Sequence, residues 1–152
     1  MSRPQKPDKA LLQSWLDDAG MAYYECDQCE GLHLRALQDT QAVIDSRLFM
    51  ESYGLLLTTE LEGRPAALLQ VSADVGRLNM DYPTLKIFLD VADDIVPQLV
   101  VASHLHAGAG ITPAQFRQFV SLYMEAAGHL AGGCLHMDYL FTEAAADRTL
   151  LH

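Results

Sequence analysis

From Met21 to Val71 the chain offers one strand-like run after another, joined by connections too short to carry a helix. The runs are "MAYYEC", "GLHLRAL", "AVIDSRLF", "YGLLLTTELE" and "RPAALLQV", rich in leucine, aromatic and β-branched residues. A parallel pair needs a crossover of about a dozen residues or more, so strands joined this tightly must run antiparallel. "ES" and "EGR" read as hairpin connections, with Gly63 placed for a turn. The stretch dictates a meander, and a meander with one apolar face needs a cover.

Helices supply it. The first is expected from Asp8 to Gly20, where Leu12, Trp15, Leu16 and Ala19 fall at helical spacing and Gly20 provides a stop. Ser72 could cap a short helix over "ADVGRLNMDY" that ends before Pro83. Two alternating strands follow, "TLKIFLDVA" and "QLVVASHLHA", with "DDIVPQ" as their loop. The last helix has the strongest start signal: Thr112 as N-cap, Pro113 at the first helical position and Gln115 in the capping-box place. Its apolar face runs through Phe116, Phe119, Val120, Tyr123, Met124 and Ala127, and the glycines of "GHLAGGCLH" weaken its end. The order predicts an α+β domain, residues 1–138, with helices on one face of a twisted antiparallel sheet. Residues 139–152 read as a tail, partly docked or flexible.

Charge excludes some partners. Ten basic against twenty acidic residues give a net charge of -10, and no basic run breaks it, so neither nucleic acid nor an anionic membrane is expected. "LLQSWLDDAG" carries two aspartates where a secretory signal needs an apolar core. Three cysteines in a chain of this size fit a reducing compartment, and the cytoplasm is the expected location.

The candidate chemistry gathers in "ECDQCEGLHL", where Cys26 and Cys29 have C-x-x-C spacing. Glu25, Asp27 and Glu30 flank the pair and would raise thiol pKa values, which argues against a redox dithiol. A structural zinc needs four ligands, and Cys134 with His136 could complete a set with Cys26 and Cys29, with His33 as a spare. The plainer reading is a hairpin whose thiols pack, with no cofactor at all. His104 and His106 share a strand face, with Asp90 as a possible neighbour across a hairpin. "HAGAGIT" places Gly108 and Gly110 before a helix, but without the lysine of a phosphate loop it reads as a strand-to-helix turn. No G-x-S-x-G, G-x-G-x-x-G or other catalytic pattern appears, and an enzyme is not expected.

The segments "LQSWLDDAGMAYYECDQCEGLHL", "LKIFLDVADDIVPQLVVASHL" and "GITPAQFRQFV", with the final "LLH", resemble the bacterial YbjN family. The likeness runs from about Leu11 to Leu130 and returns at the C-terminus. It implies a fold similar to the type III secretion chaperones, a small acidic α+β protein that is usually dimeric. It also implies a role in regulating sensory transduction, with no ligand, reaction or site residue attached. The expectation is a non-enzymatic regulator or adaptor acting through protein contacts, as a homodimer and with a further protein partner. The alternative is a zinc-binding or metal-sensing domain built on Cys26, Cys29, Cys134 and His136.

Overall fold

The computed structural model describes residues 3–92 and 96–143. Its centre is a six-stranded sheet, antiparallel throughout, in the order β1-β2-β3-β4-β6-β5. The strands are β1 (Tyr23–Tyr24), β2 (Leu32–Leu34), β3 (Val43–Glu51), β4 (Gly54–Glu62), β5 (Lys86–Asp90) and β6 (Gln98–His106). The helices are α1 (Lys9–Asp18), α2 (Leu68–Asp81) and α3 (Pro113–His136). The α+β class is the one that the sequence predicts.

One face of the sheet is covered. Leu48, Leu55, Leu57, Leu61, Ile87, Leu99 and Val101 share a single buried cluster with the apolar stripes of all three helices. α1 begins where Asp8 accepts a hydrogen bond from the Leu11 amide at 2.8 Å, and its Leu12, Trp15 and Leu16 are buried. α3 begins with the complete Thr112–Gln115 capping box and buries Phe116, Val120, Tyr123 and Ala127. The broad apolar face of α3 packs on the chain's own sheet. The glycines do not shorten α3, because Leu130, Ala131 and Cys134 remain buried while Gly132 and Gly133 face outward. Packing outweighs the roughly 1 kcal/mol per glycine that propensity would charge.

Polar groups inside this interface are satisfied in series. The Tyr123 hydroxyl donates to the Val101 carbonyl at 3.1 Å and lies 2.7 Å from Thr59 Oγ1, which is 2.9 Å from Ser46 Oγ. With one proton on each hydroxyl, Ser46 donates to Thr59 and Thr59 to Tyr123. Buried polar groups left without partners would cost more than the chain gains by holding them.

Two sequence expectations fail here. "RPAALLQV" is not a strand: Pro65–Ala67 form a single 3-10 turn that leads into α2 at Leu68. Ser72 is consequently inside α2 and caps nothing. Ala67, Val71 and Leu78 face the core, while Leu69 is 86% exposed, which is a helical period and not an alternation. The expected end before Pro83 is found, with α2 closing at Asp81.

Of the expected loop at 93–98, residues 93–95 lie outside the described residues, as do 144–152 of the expected tail. Tyr139 and Leu140 are core residues. The Arg64 amide donates to the Tyr139 carbonyl and the Phe141 amide to Glu62, while the Tyr139 hydroxyl donates to Asp74 on α2. Among the described residues no helix is long and apolar enough to cross a membrane.

Candidate functional site

The second face of the sheet carries no helix. Register places Tyr24, His33, Arg47, Thr58, Ala102 and Lys86 in one row across it, from β1 to β5. At the β1 end, the hairpin loop with Cys26 and Cys29 turns onto this face. Gly31 makes the close approach possible: a Cβ there would stand 2.7 Å from Cε1 of Phe49 on β3. Tyr24 stacks on His33 with ring centroids 4.6 Å apart, and the Arg35 guanidinium lies 4.4 Å above the Tyr24 ring. His33 is thus buried although no helix covers this face.

Three ligand-type atoms converge under the loop. Cys26 Sγ and Cys29 Sγ are 3.3 Å apart, and His33 Nε2 is 3.2 Å from the first and 3.3 Å from the second. On its other side, His33 Nδ1 lies 2.9 Å from Asp45 Oδ2 and 3.1 Å from Oδ1. An ionised carboxylate can only accept, so Nδ1 carries the proton and donates it to Asp45. Nε2 then presents its lone pair to the two thiols.

Asp45 reaches His33 because of a β-bulge. Val43 pairs with Leu61 and Asp45 with Glu60, so the register slips between them. In a regular strand, residues 43 and 45 would share the helix-covered face with Leu61; the extra residue turns Asp45 over to the open one. Beside it, Arg47 forms an ion pair with Glu60, and its Nε lies 3.9 Å from Asp45.

The contacts set the thiol chemistry, overriding the flanking charges. The Cys26 thiol is drawn down to about 7 by its hydrogen bond to Cys29, then by the Gln28 backbone and His33. Glu25, which was expected to raise it, is bound instead to Lys9 at 3.0 Å and Gln13 at 2.8 Å. For His33, burial pulls the pKa down, but the hydrogen bonds to Asp45 and then to Cys26 prevail and leave it raised. A thiol acidic enough to ionise, an imidazole and a carboxylate in line could support nucleophilic, redox or metal chemistry.

The structure brings Cys26 and Cys29 together with His33, and it does not bring Cys134 and His136 to them. Among the described residues, the group with convergent ligand atoms is Cys26, Cys29 and His33. Cys134 sits in the core on the helix-covered side, beside Leu78, Tyr82, Leu130 and Tyr139, and burial pushes its thiol up to about 11. The sheet itself separates the two places. His33, the spare in the sequence reading, is the residue that closes the set.

His104 and His106 also lie on the open face, with ring centroids 4.9 Å apart, and Tyr53 meets His104 edge-on at 5.9 Å. Asp90 is not their neighbour, because register pairs it with Gln98 at the opposite end of β6. The histidines instead line a shallow concavity of about 450 Å³ with Tyr53, Leu56, Lys86 and Phe88. The Gly108–Gly110 turn is held by the N-terminal segment, where Gln5 and Ile111 exchange two backbone hydrogen bonds of 2.8 Å.

Accessibility separates the three thiols. In reduced, chelator-treated protein, a small water-soluble disulfide reagent should modify Cys26 and Cys29 in the native state and Cys134 only after denaturation. The rate at Cys26 should climb through about pH 7 and level off above it, because the thiolate is the reacting form. Three equally fast thiols, or a rate still rising steeply at pH 9, would contradict the geometry.

Known proteins repeat this arrangement of elements. Residues 8–131 match the YbjN family model, described as "Putative bacterial sensory transduction regulator". The YbjN proteins of Escherichia coli K12 and of Shigella flexneri are each 40% identical over 114 residues, which is 75% of this chain and 72% of theirs. The crystal structure of Escherichia coli YbjN superposes with a TM-score of 0.88 at 34% identity, covering 91% of this chain and 99% of that one. A protein from Methanothermobacter thermautotrophicus shares the fold at a TM-score of 0.55 and 9% identity, over 86% of this chain and 98% of its own.

Proposed function

Because this chain belongs to the YbjN family, we propose that it is a non-enzymatic cytoplasmic regulator that works by binding a protein partner on the helix-free face of its sheet. The carrying observation is the state of that face. Phe88 and Tyr53 are exposed there, and Leu56 is half-buried beside them. Arg47 Nε, Thr58 Oγ1 and Glu60 Oε2 are shielded from solvent yet lack hydrogen-bond partners among the described residues.

The partner's chemistry follows from the same surface. Apolar side chains would fill the concavity between Tyr53 and Phe88. A net charge of -10 favours approach by a basic protein and disfavours nucleic acid. Interfaces of this kind are anchored by a few aromatic residues.

Phe88→Asp tests the reading against Leu69→Asp, which alters an exposed leucine on α2, away from the face. Proteins cross-linked in cells and recovered with the wild type should persist with Leu69→Asp and fall at least about tenfold with Phe88→Asp, as expected for loss of an interface anchor. Equal recovery with both variants, or no stoichiometric partner with the wild type, would reject it.

A further inference from the structure

We propose that Cys26, Cys29 and His33 form a zinc site whose fourth position is open to solvent or to a donor from a partner. This goes beyond the binding face described above and does not depend on it. The three ligand atoms make a nearly equilateral triangle with sides of 3.2, 3.3 and 3.3 Å. The centre of such a triangle lies about 1.9 Å from each corner. An ion just out of its plane therefore meets all three close to the ~2.0–2.3 Å that zinc takes with nitrogen and sulfur.

The surroundings are those that a metal-bound histidine uses. Asp45 accepts from Nδ1 at 2.9 Å, which fixes the tautomer and turns the Nε2 lone pair toward the sulfurs. The β-bulge between Val43 and Asp45 puts that carboxylate on this face. Arg47 stands beside this group, 3.9 Å from Asp45 and paired with Glu60. On loading, each thiol gives its proton to water and two zinc–sulfur bonds replace two S–H bonds. Two thiolates and one imidazole select zinc over magnesium or calcium, which prefer oxygen.

The same atoms could be read as a nucleophile with its base, or as a dithiol. A nucleophile needs one thiol, whereas here two stand equally close to Nε2. A disulfide would need the sulfurs to close to about 2.05 Å, and it would leave the Nε2 lone pair without a donor. Zinc uses all three atoms after the triangle widens by roughly 0.4 Å between the sulfurs to reach a tetrahedral angle. Cys26 and Cys29 are partly exposed, so the ion would face outward with a replaceable ligand.

The full chain, purified untagged under reducing conditions and stripped with a chelator, should take up one equivalent of zinc. In its place, cobalt(II) should give thiolate-to-metal charge-transfer absorption. Cys26→Ser and Cys29→Ser should weaken zinc binding at least about 100-fold, and Asp45→Asn about 10- to 100-fold. Cys134→Ser should leave it unchanged. Circular dichroism of each variant separates lost ligation from lost fold, and Cys26 and Cys29 lie on a loop that the core does not need. Less than half an equivalent of zinc would overturn the proposal. So would uptake indifferent to Cys26→Ser and Cys29→Ser, or a Cys26–Cys29 disulfide that persists through reduction and blocks uptake.

Discussion

Replacing Gly54 with alanine should cost about 3 kcal/mol or more, among the largest effects available from a single added methyl. Gly54 opens β4 at φ 141°, a conformation that side chains rarely adopt. A Cβ there would collide with the Leu105 carbonyl oxygen and approach the Ala107 amide nitrogen to 2.7 Å. Leu105 belongs to the strand paired with it and Ala107 directly follows that strand, since Gly54 faces His106 and Leu55 faces Leu105. Neither can retreat without opening the β4–β6 ladder. For a chain of this size the melting temperature should fall by roughly 6–12 °C. Gly20→Ala is the control: it also has a positive φ, 69°, but its Cβ would meet nothing within 4 Å. It should cost only about 1 kcal/mol. Equal costs for the two would show that the hairpin is not closed as described.

Phe116→Ala should lower stability by about 3–5 kcal/mol. Phe116 is completely buried near the start of α3, and its ring centroid is 5.5 Å from that of Trp15 on α1. Tilted aromatic pairs of this kind add about 0.5–1.5 kcal/mol to area burial alone. The lost ring leaves a cavity that neither helix can collapse into, because Leu12 and Leu16 already fix α1 on the core. Trp15 is the chain's single tryptophan, so its fluorescence reports the pair directly. Urea unfolding followed at Trp15 should show the midpoint reduced and the slope unchanged. A loss below about 1 kcal/mol would mean that α1 is held by something other than this contact.

Much of this architecture can be read along the chain because its signals are local. Asp8 before a helical stripe, and Thr112, Pro113 and Gln115 in capping positions, each act within one turn. "RPAALLQV" misleads for the opposite reason. Short apolar runs satisfy strand and helix alike, and the decision between them is made by where Ala67, Val71 and Leu78 find the core. Pro65, suited to a helix start, was the available cue.

The site divides in the same way. Cys26 and Cys29 announce themselves by spacing, and His33 stands close enough in sequence to be considered. Asp45 cannot be found in this manner. Strand alternation groups it with Val43 on the covered face, and only the bulge, visible in the pairing with β4, reverses it. Cys134 and His136 show the converse error, since two plausible ligands near the end of a helix lie on the wrong side of the sheet. Which face a residue occupies is a property of register, and register is settled by partners far away in sequence.

Strand order also carries a consequence for the newborn chain. β6 emerges after every other strand, yet its place is between β4 and β5. Until residue 106 has been made, Gly54–Glu62 is a nine-residue edge without its neighbour, and β5 has nothing to pair with. At about 5–20 residues per second, the roughly 44 residues from Glu62 to His106 take about 2–9 s to synthesise. An open edge rich in leucine is a template for another chain during that time. The hazard of this fold is timed by chain order: it opens with Glu62 and closes with His106.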